Sequence, residues 1–325
     1  MTETAQMPPH ALSQVERIAL IYRIRVWYPR MKRVYDEIAR AYEVNSLTPD
    51  PECVALFGKF RTGKTTIIDS FCQHYPRTVL EKTTRVPVLK VVIPAKATIG
   101  NLLVAILAAL GDPLADKGSI GTKLYRLQRL VGDCEVSMII LDEANHFVDR
   151  DSQHVLHDVS NMMKNLIKEK NIACVLVGLP YTEEVLRVNE QFGSLFGDPY
   201  LLDPFQWNEK QPETIDEFRM FLQQVEQQLP LTSRSCLSSR EMAWRCFVAT
   251  QGKVGYVMRL LRRSAEDAVR CAAPALTQEF LANAFSQTLA GKRRGLHNPF
   301  IGDPPDTTGP EEKEYWPVRR HGGRL

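Results

Sequence analysis

The sequence predicts an α/β fold: a parallel β-sheet flanked by helices on both faces, followed by a C-terminal domain built only of helices. Three observations carry that expectation. Short apolar runs alternate with amphipathic stretches between residues 51 and 205, the pattern of a sheet covered on both faces. The first run ends in a glycine-rich loop that leads straight into a helix. Beyond Pro204 the apolar residues recur at helical spacing, with no strand candidate among them.

In chain order, residues 1–14 are expected to be loose. Val15, Ile18, Ile21, Tyr22 and Val26 then recur at helical spacing, which predicts a helix from Ser13 to Tyr28. Pro29 suits a first turn and opens a second helix carrying Met31, Val34, Tyr35, Ile38 and Tyr42. A turn-rich linker from Asn45 to Pro51 closes this N-terminal helical segment, residues 1–50. The core, residues 51–205, opens with the apolar run CVALFGKF, a buried strand ending in glycine, and helix follows from Thr65 to Tyr75. VPVLKVVI is a second strand, followed by helices over 99–110 and 122–131. VSMIILDEA is a third strand, residues 152–168 are helical, and IACVLVGLP is a fourth strand. Helices over 214–228, 238–250, 255–272 and 277–290 form a second domain within residues 206–290. Residues 291–325, rich in Pro, Gly and charge, are expected to be a flexible C-terminal tail.

Composition narrows the function classes. A hydrophobic fraction of 44% and a charged fraction of 24% over 325 residues suit an ordinary globular protein with room for two domains. No apolar run approaches the roughly 20 residues that cross a bilayer, and the N-terminus lacks a basic stretch leading into an apolar core, so neither a membrane partner nor secretion is expected. Seven cysteines stand singly, without the short-spaced pairs of a zinc site or disulfide framework, which points to a reducing, cytoplasmic setting. The formal net charge of +3 is too small to indicate a nucleic-acid partner by itself. Basic residues nevertheless gather over 23–33, 117–129 and 253–270 and at Lys292-Arg293-Arg294, each readable as a solvated helix face or as part of a phosphate-binding surface.

Two motifs carry chemistry. Gly58-Lys59-Phe60-Arg61-Thr62-Gly63-Lys64-Thr65 fits G-x-x-x-x-G-K-[ST] throughout, with a strand before it and a helix after. Its glycines let backbone N–H groups turn toward the phosphates of ATP, at the positive end of the following helix. Gly58, Thr62, Gly63, Lys64, Thr65 and Thr66 are therefore the candidate nucleotide-binding residues. Lys64 would bridge the β- and γ-phosphates, Thr65 would ligate Mg²⁺, and Thr66 would bond the α-phosphate. Ile139-Ile140-Leu141-Asp142-Glu143 is an apolar strand ending in two carboxylates. Asp142 is the candidate partner of Mg²⁺, and Glu143 the candidate general base for the attacking water. After the fourth strand Leu179 is apolar, so Thr182 is the candidate polar sensor of the γ-phosphate. Arg187 is the nearest arginine, readable equally as a surface residue.

LFGKFRTGKTTII, MIILDEANHF and ACVLVGLPYTEEVL together resemble the AAA+ transposition regulators of the TniB/TnsC type. The resemblance runs over roughly residues 15 to 290 and includes Trp27-Tyr28-Pro29-Arg30 and Gly252-Lys253-Val254-Gly255-Tyr256. It implies a P-loop AAA+ sheet with a C-terminal helical lid, and an ATPase that self-associates into rings or helical filaments on duplex DNA. Such proteins link a target-selecting protein to a transposase. The resemblance also implies phosphate-backbone contacts from loops carrying Lys96, Lys117, Ser119, Thr122 and Lys123, each alternatively a solvated surface residue. One departure stands out. Where relatives show an arginine-rich segment that reaches the adjacent subunit, residues 189–198 contain no arginine. In the lid, Lys253 and Arg259 compete for the sensing position. Slow or partner-stimulated hydrolysis is therefore expected. The alternative is an AAA+ remodelling or signalling switch that acts only on protein partners. The C-terminal tail, with Tyr315-Trp316-Pro317, is a candidate docking segment for the transposase.

Overall fold

A computed structural model of the chain describes residues 12–81, 83–95, 98–148 and 153–310, without the side chains of residues 153–155. Among the described residues two compact units emerge, one formed by Pro29–Asp203 and the other by residues 12–28 together with 204–310.

The chain enters through α1 (Gln14–Arg23), which belongs to the second unit, and α2 (Pro29–Asn45), which belongs to the first. The first unit continues with β1 (Cys53–Phe57), α3 (Lys64–His74), a small antiparallel hairpin of β2 (Thr78–Val79) and β3 (Thr84–Arg85), and β4 (Val88–Val92). Then come α4 (Ile99–Leu110), α5 (Ile120–Asp133), β5 (Met138–Asp142), α6 (Gln153–Lys170) and β6 (Ala173–Gly178). Two short helices, α7 (Glu184–Val188) and α8 (Glu190–Gly193), lead to β7 (Tyr200–Leu201). The sheet order is β4-β5-β6-β1-β7, with every pair parallel. Phe57 lies opposite Gly178, and Val92 opposite Asp142, so the carboxyl ends of β1, β6 and β5 line one edge of the sheet. β1, β5 and β6 are buried at every position, as parallel strands covered on both faces must be. One side of the sheet packs Ala55, Phe57, Leu89, Val91, Ile139 and Leu141 into a single apolar core with α4, α5 and α6.

The second unit is helical: α1, α9 (Pro212–Gln228), α10 (Arg240–Thr250), α11 (Val254–Arg270) and α12 (Gln278–Thr288). A capping box starts α1, with Ser13 and Glu16 satisfying each other's backbone N–H groups. Tyr22 on α1 donates a 2.8 Å hydrogen bond to Glu266 on α11. The helix expected to reach Tyr28 stops at Arg23. From there Ile24, Val26 and Tyr28 are buried alternately, the period of extended backbone, and Tyr28, next to Pro29, is itself disfavoured from the helical conformation. Tyr28 seats its ring against Phe205 and Phe221, with centroids 4.9 and 5.9 Å away.

Residues 291–310 also depart from expectation: they are tied to the helical unit instead of hanging loose. Arg293, 2% exposed, donates to the carbonyls of Val248, Thr308 and Pro310. Arg245, also 2% exposed, donates to those of Pro299 and Gly302, and Trp244 to that of Pro305. The rest of the expected tail, residues 311–325, lies outside the described residues. All seven cysteines are free. Burial pushes the Cys53 and Cys246 thiols up to about 12, so these behave as small apolar side chains. Among the described residues no helix is long and apolar enough to cross a membrane.

Candidate functional site

The glycine-rich loop leaves β1 at the carboxyl edge of the sheet and re-enters α3 at Lys64. The N–H of Gly58 donates to the carbonyl of Gly178 at 3.2 Å, which fastens the loop's first residue to the end of β6. A Cβ on Gly58 would lie 2.2 Å from the backbone oxygen of Leu202, so only glycine fits there. Gly63 needs its freedom for another reason. Its φ of 107° is closed to side chains with a Cβ, although the nearest atom to such a Cβ, Met31 Cε, is 3.9 Å away. The loop is closed from within. The Thr62 hydroxyl donates to the Lys59 carbonyl at 2.9 Å, and the Lys64 ammonium reaches the carbonyls of Gly58 and Lys59 at 2.6 and 2.9 Å. Thr65 and Thr66 fall in the first turn of α3, Thr65 exposed and Thr66 half-buried.

Asp142 ends β5 and is 5% exposed. Its Oδ1 accepts the N–H of Glu143 at 3.0 Å. Its Oδ2 lies 3.4 Å from Lys90 Nζ on β4, which also reaches Asp69 of α3 at 2.6 Å. Burial works against the Lys90 charge, but the Asp69 and Asp142 carboxylates outweigh it and hold its pKa above the ordinary lysine value. Glu143 is half-buried and left-handed, at φ 58°, a conformation that costs on the order of 1–3 kcal/mol in a non-glycine residue and clusters at functional sites. It caps a 3₁₀ turn, Ala144–Phe147, whose Asn145 side-chain oxygen is buried without a partner. The Asp142 carboxylate and the exposed Thr65 hydroxyl are oxygen donors of the kind a hard divalent cation takes, and the glycine loop at the N-terminus of α3 suits a phosphate chain. The residues present thus fit a nucleotide and its magnesium.

Beside β6 the Thr182 hydroxyl is buried without a partner, 2.3 Å from where a Cβ on Gly178 would lie. Arg187 is exposed and paired with Glu183 at 2.8 Å. In the helical unit Lys253 is 4% exposed at the N-cap of α11, its ammonium 5.8 Å from the Tyr256 ring centre, whereas Arg259 is half-buried further along the same helix. Of the candidate DNA contacts, Lys96 lies outside the described residues. Lys117, Thr122 and Lys123 come together at the start of α5. Ser119 caps that helix and bonds Thr122, Lys123 donates to the Gly118 carbonyl at 3.1 Å, and Lys117 pairs with Asp116 at 3.0 Å. The sequence reading passed over Lys90. Its one signal was a lysine in the middle of an apolar strand, which a helix carrying a carboxylate can partner.

No curated protein sequence matches the chain. Solved structures match its fold. The ORC1 protein of Aeropyrum pernix, in complex with DNA, is 18% identical with a TM-score of 0.59, over 83% of this chain and 69% of that one. Cdc6p of Pyrobaculum aerophilum is 15% identical with a TM-score of 0.57, over 83% and 71%. The A. pernix ORC2 protein in its ADPNP–ADP complexes is 13% identical with a TM-score of 0.56, over 82% and 70%. At such identities the likeness establishes the fold, a P-loop AAA+ sheet with a helical C-terminal region. The family model for the bacterial TniB protein matches residues 17–206, a span that holds the phosphate loop, both carboxylates at the end of β5 and all five strands of the sheet. With that match laid over this fold and this loop, the chain belongs to the TniB family and is a nucleotide-binding ATPase of the AAA+ type.

Proposed function

We propose that this ATPase is a regulator of DNA transposition: bound to ATP and magnesium it assembles on duplex DNA, and it couples a target-selecting protein to a transposase. The observation that carries the reading is the TniB family match across a complete phosphate loop and its paired carboxylates. Residues 51–205 serve as the nucleotide-binding core and 206–290 as the lid. Lys64 and the loop from Gly58 to Thr66 hold the phosphates, Thr65 and Asp142 hold the metal, and Glu143 orients and deprotonates the attacking water. The bound metal supplies charge neutralisation along the phosphates. Thr182 is the polar group at the end of β6 that senses the γ-phosphate. Its buried, unpartnered hydroxyl supports that role. Arg187 is paired with Glu183, just before its own helix, and residues 189–198 offer no arginine, which supports slow or partner-stimulated turnover.

Duplex contact falls to Lys117, Thr122 and Lys123 at the start of α5 and to Lys96, and is made to phosphates without base readout. Two of the solved relatives by fold are described as bound to DNA, ORC1 of A. pernix and the Drosophila origin recognition complex, the latter 14% identical with a TM-score of 0.52 over 87% of this chain and 68% of that one. A switch acting only on proteins is the second reading, favoured by the Asp116 carboxylate that occupies Lys117. Fluorescence anisotropy of labelled duplex DNA with a slowly hydrolysed ATP analogue separates the two. Binding only with the analogue, and a salt slope that falls by about one for each lysine when Lys117 and Lys123 become alanine, supports the DNA reading. Equal, weak DNA binding with ADP and with the analogue rejects it.

A further inference from the structure

Lys90 is a charged residue in the middle of an otherwise apolar strand, and its surroundings give it a task. It lies opposite Ile140, two positions before the Val92–Asp142 pair, so the side chains of Lys90 and Asp142 share one face of the sheet. That face is the one α3 covers, since the Lys90 ammonium reaches Asp69 of α3 at 2.6 Å and Asp142 at 3.4 Å. One cation therefore ties the helix that follows the phosphate loop to the carboxylate at the end of β5. The other Asp142 oxygen is held by the Glu143 amide at 3.0 Å.

The two carboxylates differ in their surroundings. The Asp142 side chain is 7% exposed, whereas that of Asp69 is 52% exposed and screened by solvent. The charge of Lys90 is consequently felt most by Asp142, in the less polar surroundings. A divalent cation brought to Asp142 meets a positive charge already in contact with the same carboxylate, and like charges at that range repel.

We infer that Lys90 is a positioning residue of this ATPase, a built-in counter-ion that fixes the Asp142 carboxylate and weakens its hold on the metal of the metal–nucleotide complex. The inference rests on the reading of Asp142 as the metal-side carboxylate. It gives the protein an internal cation that steadies Asp142 whenever the metal leaves, and Asp69 governs how strongly that cation competes.

The test is manganese binding to the full chain in the presence of a non-hydrolysed ATP analogue, read by electron paramagnetic resonance, with melting temperatures confirming that each variant is folded. Lys90→Met keeps the length of the side chain and removes its charge, and it tightens manganese binding by at least about threefold. Lys90→Arg keeps the charge and binds as the wild type does. Asp69→Asn leaves the ammonium to Asp142 alone and weakens manganese binding, which gives an independent reading on a surface substitution. A merely structural role for Lys90 moves the melting temperature and leaves these affinities in place. Unchanged or weaker binding in folded Lys90→Met overturns the inference. Wild-type binding in Asp142→Asn overturns the metal-side reading beneath it, and the inference with it.

Discussion

Alanine at Gly58 tests how the loop is held more sharply than a change at its lysine would. The new Cβ would lie 2.2 Å from the backbone oxygen of Leu202, so the two must separate by about 1.2 Å to regain an ordinary contact. Leu202 cannot yield freely, because its N–H donates to Phe57 at 2.8 Å and β7 pairs beside it in register with β1. Overpacking of this kind costs roughly 1–3 kcal/mol, and a lost backbone hydrogen bond adds about 1 kcal/mol. A native loop that lies about 2–4 kcal/mol uphill lowers nucleotide affinity by roughly 30- to 1,000-fold. Gly63→Ala is the comparison, since its Cβ meets only an ordinary contact with Met31 at 3.9 Å and suffers through its φ of 107°, a strain of about 1–3 kcal/mol. Binding of a fluorescent ATP analogue, with melting temperatures of the apo variants, reads both. Gly58→Ala loses apo stability as well as affinity, while Gly63→Ala loses affinity with a smaller shift in melting. Wild-type affinity and melting in Gly58→Ala would refute the reasoning.

The other expectations concern the helical unit and the chemistry. Arg293→Met removes a buried guanidinium from three carbonyls and costs about 3 kcal/mol, so that residues 296–310 become cleavable by protease in a protein whose remaining helices resist. Persistent protection of that segment would count against the tether. At Glu266, bonds from Arg270 and Tyr22 hold the carboxyl below its ordinary 4.5, so its contribution is complete above that value and is lost as pH falls through the depressed one. Glu266→Gln should lower the urea midpoint at pH 7 and flatten the acid loss below about pH 4.5; parallel pH curves for both proteins would exclude that role. Glu143→Gln should keep nucleotide affinity, slow hydrolysis by at least about a hundredfold and prolong occupancy of DNA. Unchanged occupancy with intact ATP binding would argue against hydrolysis as the release step.

The central sheet was legible because each of its long strands is a short apolar run between turn residues, and because the loop after β1 spells out its own geometry. β7 was not, since two residues, one of them the 59%-exposed Leu201, carry no periodicity; pairing with β1 makes them a strand. The hairpin β2–β3 escaped for the same reason. At the N-terminus Ile18, Ile21 and Tyr22 set a helical period that hid the two-residue alternation of Ile24, Val26 and Tyr28. Pro29 held the correction, since proline restrains the residue before it as well as opening the helix after it. The last described segment misled by composition. Pro and Gly read as looseness, but the partners that order it, Trp244, Arg245 and Val248, lie about 50 residues upstream, where no local pattern reveals them. Arg293 likewise read as one of three exposed basic residues and proved buried. In the site, residue types and spacing named the phosphate loop and the carboxylates, but the Lys90 bridge needed strand register, which only the folded sheet supplies.

Assembly on DNA is the most direct test of the proposed function. Purified protein would be mixed with long duplex DNA and viewed by negative-stain electron microscopy, with a slowly hydrolysed ATP analogue or with ADP. The transposition-regulator reading predicts rings or filaments on DNA with the analogue and bare DNA with ADP. DNA that stays bare under both conditions, while the analogue is shown to be bound, would contradict it and leave a nucleotide switch that acts on proteins alone.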